Sequence, residues 1–355
     1  MPRDWGANVG IASKAADLLW HGLAANTRQV YTAGQTTYAR FASSQGFKPF
    51  PVQFEALAEF IAASAEETSM ETTKSYISHL RSYHIDKGYS TDVFNDERIK
   101  RILRGAARKY GNRPKRGRLE ITSEILQAIL ATLRDTHDDI NIYAAFCTAF
   151  AGFLRIGEFT WSIWNNQSVL QSLSRKSIQF VQDGVILQLP ASKMDPFRKG
   201  ISIPLSPSGD INCPVSALRT LVERYPKSTT APLFSRLIGP FDRKWVLQKL
   251  RQSLLFAGIN PVGFSGHSFR RGAANSAFKA GISREDIMKM GRWKSDSIDR
   301  YFSLTTANKL LFSLSTQLHT KPGPPNLAPD SQHAHSANTT NSRDRHAHAS
   351  VRRKV

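Results

Sequence analysis

Apolar residues recur every three to four positions through residues 12 to 108, the spacing of helices buried on one face. In NTRQVYTAGQTTYARF, Val30, Tyr31, Tyr38 and Phe41 fall near that period, and Asn26 or Thr27 stands where a capping side chain is wanted. EALAEFIAAS and TTKSYISHLRSYHIDKG continue the pattern, the latter stopped by Gly88, and DERIKRILRGAARKYG predicts a further helix ending at Gly111. Thr122 or Ser123 caps the next one, in ITSEILQAIL. The period then changes. VILQLP and ISIPL are short β-type runs on either side of ASKMDPFRKG, which together read as a hairpin. Helical spacing resumes in PVSALRTLVERY and KWVLQKLRQSLLFAG. The expected fold is mainly α, with an all-helical unit over residues 12–110, a linker over 111–119, and a helical unit with a small antiparallel sheet over 120–318. The remainder, 319–355, is rich in Pro, Ser, Asn, Thr and His and is expected to be disordered. Its His-Ala-His triplets read as compositional bias, with weak metal binding as the other option. No internal repeat is evident.

Charge changes the picture. With 48 Lys and Arg against 28 Asp and Glu, the chain carries +20, an excess that repels itself unless a polyanion shares it. Nucleic acid is the leading partner on this ground; a basic protein of other purpose, or one touching anionic membranes, remains open. The excess is concentrated. From Arg98 to Arg118 there are ten Lys or Arg and no acid, among them Arg104, Arg108, Lys109, Arg113, Lys115, Arg116 and Arg118. A solvated helix face ordinarily mixes its signs, so this stretch reads as a strap along a phosphate backbone, or else as a merely soluble linker. Only two cysteines occur, Cys147 and Cys213, without pair or metal spacing, and Cys147 lies in an apolar run as a small hydrophobe. That run, YAAFCTAFAGFL, is too short to span a bilayer, and MPRDWGANVG lacks a signal-peptide core. A soluble intracellular protein is expected.

Candidate chemistry comes in three pieces. GHSFRRGAANSAFKAG places His267 and Arg270 three apart, on one face of a helix whose other face carries Ala273, Ala274, Ala277 and Phe278. Gly281 ends that helix; Ser283, with Asp286, opens the next, Ile282 staples to Ile287, and Gly291 stops it before Trp293 and Tyr301. Upstream, TAFAGFLRIGEFTWSIW reads as an apolar helix interrupted by Arg155 and Glu158, spaced so that the carboxylate braces the guanidinium. An ordinary ion pair is the plain alternative, yet an Arg in such apolar company suggests an anionic target. The third piece is Lys193 in the hairpin, with Arg198 and Lys199 able to reach the same place.

Taken in order, Arg155 with Glu158, Lys193, GHSFR, GRW and Tyr301 resemble the tyrosine recombinases, the phage-integrase-like enzymes that break and rejoin DNA. The wording LRIGEF, SKMDPFRKG and GRWKSDSIDRYF is most similar to the eukaryotic mobile-element branch, of Crypton and DIRS type. The resemblance covers most of the chain. It implies a core-binding, SAM-like helical domain before the linker and a catalytic domain after it. Trp293 and Tyr301 stand eight apart, where bacterial and phage members usually have nine, and no other tyrosine follows Arg270.

The resemblance also implies the chemistry. Arg155 and Arg270 would hold the non-bridging oxygens of a phosphodiester, with His267 and the indole N–H of Trp293 as further donors. Trp293 as a core aromatic is the alternative. The Tyr301 hydroxyl, with an ordinary pKa near ~10, would attack, helped by surrounding cations and by His267 accepting its proton. Lys193 would protonate the departing 5′-oxygen. A 3′-phosphotyrosyl link stores the bond energy, so neither metal, ATP nor other cofactor is implied. Double-stranded DNA is the implied partner, with a homotetramer on DNA whose contacts could include LTTANKLLFSLSTQL, unless that segment packs on its own domain. A nucleus is the expected location, from RPKRGR and the DNA chemistry. A type IB topoisomerase-like enzyme and a domesticated DNA-binding protein without cleavage are the two other readings.

Overall fold

Helix ends here are set largely by side chains that satisfy the free N–H groups of a first turn. The computed structural model describes residues 10–111, 117–165, 171–190, 200–295 and 298. Its contacts divide the chain into Met1–Arg118 and Leu119–Val355.

The first unit holds α1 (Ser13–His21), α2 (Ala25–Ser44), α3 (Phe54–Glu67), α4 (Met70–Lys87) and α5 (Glu97–Tyr110). Ser69 caps α4 by accepting from Thr72 N–H at 3.1 Å, and Gly88 ends it in the left-handed region at φ 68°. Asn26 and Thr27 are not caps. α2 starts before them, with Ala24 at the N-cap and no side-chain bond there. The first turn is fastened instead by Arg28, which bonds the Trp20 carbonyl and the Asp86 carboxylate, so tertiary contacts outweigh local capping. Val30 correspondingly faces solvent, while Tyr38 is fully buried with its ring 5.2 Å edge-on from Phe60. Leu57, Ile61, Leu80 and Ile99 complete this core. α2 and α4 approach closely at Gly34, where an added Cβ would fall 2.2 Å from the His79 ring.

The second unit begins with α6 (Ser123–Ala131), capped by Thr122 through Ile125 N–H at 3.3 Å. Then come α7 (His137–Ala151), α8 (Ile156–Phe159), β1 (Ile178–Val181), β2 (Gly184–Leu189) and β3 (Ile201–Leu205). α9 (Pro214–Arg224), α10 (Arg243–Phe256), α11 (Ser268–Lys279) and α12 (Arg284–Gly291) follow. The sheet is antiparallel in the order β1-β2-β3, with Leu187 opposite both Ile178 and Ile203. The two short β-type runs VILQLP and ISIPL form β2 and β3, which pair antiparallel. β1 had not been foreseen, because most of its residues are exposed and leave no buried face to read. The core gathers Phe146, Leu187, Leu218, Phe234 and Phe269, with Cys147 buried among them. The mainly helical expectation with a small antiparallel sheet holds.

One close approach positions the site. Ile121 N–H donates to Ser268 O at 3.1 Å and Ser268 Oγ to Leu119 O at 2.8 Å, so the segment before α6 lies along the start of α11. Gly272 permits it: a Cβ there would sit 1.7 Å from the Ile121 carbonyl oxygen. Among the described residues, no helix is long and apolar enough to cross a membrane.

Candidate functional site

The apolar segment around Arg155 is two helices, not one. α7 stops at Ala151, the chain turns through Gly152 and Phe153, and Arg155 becomes the N-cap of the four-residue α8. The turn needs Phe153 at φ 51°, a left-handed conformation that costs a bulky residue of the order of 1 kcal/mol. Arg155 is therefore not embedded in a helix interior but stands part-buried at a helix start. Glu158 braces it twice: Oε2 accepts from Arg155 N–H at 2.9 Å and Oε1 from Arg155 Nη1 at 2.7 Å. The carboxylate is only 5% exposed, while the Arg155 side chain keeps 19%.

Glu158 has a second cation. Arg292 Nη2 donates to Glu158 Oε2 at 3.0 Å and to Phe153 O at 3.1 Å, and its Nη1 donates to Gly152 O at 3.1 Å. Gly291 is the last helical residue of α12, and Arg292, not the glycine, takes the left-handed cap at φ 58°. The glycine serves packing instead, since a Cβ on it would lie 1.6 Å from the Trp293 ring. Burial pushes the Arg292 guanidinium below its ordinary pKa, and Glu158 works against that push. Arg292 was missed by sequence reasoning: GRW drew attention to its tryptophan, and no local pattern marks a long cation in a left-handed cap.

His267 and Arg270 do not share an outward face. His267 is the N-cap of α11 and exposed, whereas Arg270, one turn in, is fully enclosed. The difference arises because α11 is buried nearly all round its first turns, from Ser268 to Asn275. Arg270 donates to the carbonyls of Phe153 and Gly291, and its guanidinium lies 4.0 Å from the centroid of the Trp293 ring. Trp293 is 8% exposed and packs with Phe153, Ala274, Ile287 and Ile298, so it is a core aromatic in this conformation. Gly266 lets the His267 turn rest on the start of α8: a Cβ there would meet Ile156 Cγ2 at 2.5 Å.

The structure thus brings Arg155, Glu158, Arg270 and Trp293 to one corner, with His267 at the head of the helix that carries Arg270. Arg155 and Arg292 share the Glu158 carboxylate while Arg270 is held by two backbone carbonyls, so cations outnumber acids there, a balance that favours an incoming anion. Lys193, with Arg198 and Lys199, and Tyr301 lie outside the described residues. So do Arg113, Lys115 and Arg116 of the basic stretch and the segment after Tyr301. Arg104, Arg108 and Lys109 are exposed on α5, and Arg118 is exposed beyond it. Arg98 and Lys100 differ from them, each tied to an acid just upstream, Asp96 at 2.7 Å and Glu97 at 2.6 Å. Among the described residues, no group of three or more His, Cys, Asp or Glu could hold a metal ion.

No family model matches the chain. It is similar to an integrase/recombinase XerD homolog of Selenomonas ruminantium, 26% identical over an alignment of 312 residues, with 83% of this chain and 86% of that protein covered. Among solved structures it resembles a lambda integrase dimer bound to a COC′ core site, with 16% identity and a TM-score of 0.53, covering 80% of this chain and 73% of that one. It also resembles the Tn1549 transposon integrase in complex with circular intermediate DNA, with 12% identity and a TM-score of 0.54, covering 84% and 97%. These two likenesses show that the fold is the integrase fold.

Proposed function

We propose that this chain, an enzyme of the tyrosine recombinase and integrase family, is a site-specific recombinase acting through a covalent 3′-phosphotyrosyl intermediate. The observation that carries the reading is the convergence of Arg155 and Arg270, 115 positions apart in the chain, on the turn at residues 152–158. Arg155 and His267 are the outward members and meet the scissile phosphate first. Arg270 joins them by exchanging its carbonyl bonds for the non-bridging oxygens, where charge grows in the transition state. The Tyr301 oxygen attacks phosphorus, its proton passes to His267, the bond to the 5′-oxygen breaks, and Lys193 protonates that oxygen. Attack by a 5′-hydroxyl on the phosphotyrosyl ester reverses these transfers and rejoins the strand.

The finer parts of the reading belong with it. Double-stranded DNA is the substrate, four copies assemble on it, the kinship is to Crypton and DIRS-type elements, and the protein works in a nucleus. The DNA-bound assemblies of the structural relatives support DNA as the partner and an oligomer as the working form.

The test uses end-labelled nicked duplex DNA and denaturing gels. A protein–DNA adduct through the 3′-phosphate is expected from the full chain and none from Tyr301→Phe; an adduct that persists in the variant would retire the assignment. Exchange of partners between two DNA sites separates a recombinase from a topoisomerase-like enzyme, which relaxes one plasmid.

A further inference from the structure

Among the described residues, the non-glycine residues with positive φ are Phe153 and Arg292, and they bond to each other. Each conformation is disfavoured by itself, and together they aim one carbonyl and one guanidinium at a shared point. The Phe153 carbonyl also receives Arg270, and the Glu158 carboxylate that receives Arg292 also receives Arg155. Arg292 is thereby joined to both candidate phosphate-binding arginines through one intermediary each. It sits at the end of α12, nine residues before Tyr301. We propose that Arg292 is a positioning residue, a latch that registers the segment leading to Tyr301 against the Arg155–Glu158 corner. This rests on the function proposed above. With its guanidinium committed to Gly152, Phe153 and Glu158, Arg292 acts on the reaction through these neighbours and not on the substrate.

The left-handed cap supplies a clean variant. Arg292→Gly removes the guanidinium while easing the backbone, since glycine is the preferred residue in that conformation. The full-length variant should fold and bind target DNA as the original does, yet form the 3′ adduct about 100-fold more slowly, the scale expected of a displaced reacting group. Amide exchange at residues 293–295 and 298 should rise, with α7 and α11 as protected as before. Arg292→Lys keeps one charge on Glu158 without the fork to the two carbonyls, so it should recover part of the rate, and it carries the test should the glycine variant fail to fold. A folded Arg292→Gly chain with the original adduct rate and unchanged exchange would overturn the latch. So would a lysine variant at full rate. An original chain that forms no adduct, with exchange still sensitive to Arg292, would overturn the proposed function instead.

Discussion

A single α-carbon decides whether Arg270 keeps its place. Gly291 contributes the carbonyl that one Nη of Arg270 grips, and its missing side chain makes room for the Trp293 ring on which the guanidinium lies. Gly291→Ala is expected to lower stability by about 1–3 kcal/mol through overpacking, measured as a drop in the denaturation midpoint. Trp293→Ala in the same chain removes the obstacle, so the double variant should cost clearly less than the two single changes added together. Additive costs would show that ring and glycine do not meet. The same residues show what the sequence disclosed. The Arg155–Glu158 brace was legible because spacing of three fixes it locally. That Arg270 faces inward was not, because it is enclosed by the Phe153 turn, the end of α12 and the Trp293 ring, which no local pattern reveals.

Elements show the same division between local and long-range control. Ends set by their own residues, such as the Ser283 cap on α12 and the Gly88 stop on α4, follow from the sequence. The start of α2 does not, because Arg28 fastens it to Trp20 and Asp86. The break between α7 and α8 escaped notice for a related reason, as an apolar run continues through Phe153 while the backbone reverses. α4 also carries a device with a measurable consequence. His84 is buried, its Nε2 accepts from Val52 N–H at 2.9 Å, and its Nδ1 faces Ser90 O. A protonated ring has no acceptor for Val52. Burial lowers its pKa, while the Ser90 carbonyl pulls the other way. The unfolded chain therefore takes up this proton more readily than the folded one, and stability falls as pH drops below about 6.5. The first unit should reach its urea midpoint at lower concentration at pH 5 than at pH 7.5, and His84→Gln should flatten that difference. An undiminished pH dependence in the variant would assign it to other groups.

At the scale of the whole molecule, +20 charges favour a polyanion as partner, and the described structure says which of them stand exposed to one. Arg98 and Lys100, which open the basic stretch, are neutralised within their own helix by Asp96 and Glu97. Arg98 also stacks on Phe54, 3.8 Å from the ring centroid, so it serves the fold of the first unit. Arg104, Arg108 and Lys109 stand exposed on the same helix, outside the core of that unit, with Lys109 Nζ 5.1 Å from the Tyr110 ring centroid. If they lie along a phosphate backbone, each releases counterions on binding, and log affinity falls against log salt by about 0.9 per neutralised phosphate. Replacing all three with Gln should weaken DNA binding at low salt and reduce the slope by about 2 to 3. Helix stability should change little, since the substituted positions are exposed and Gln is a good helix former. Replacing Arg98 and Lys100 should do the reverse, lowering the thermal midpoint of the first unit while leaving the salt slope nearly intact. Titrations across a salt series separate the two sets. An unchanged slope in the triple variant would show that the exposed face of α5 does not touch the backbone.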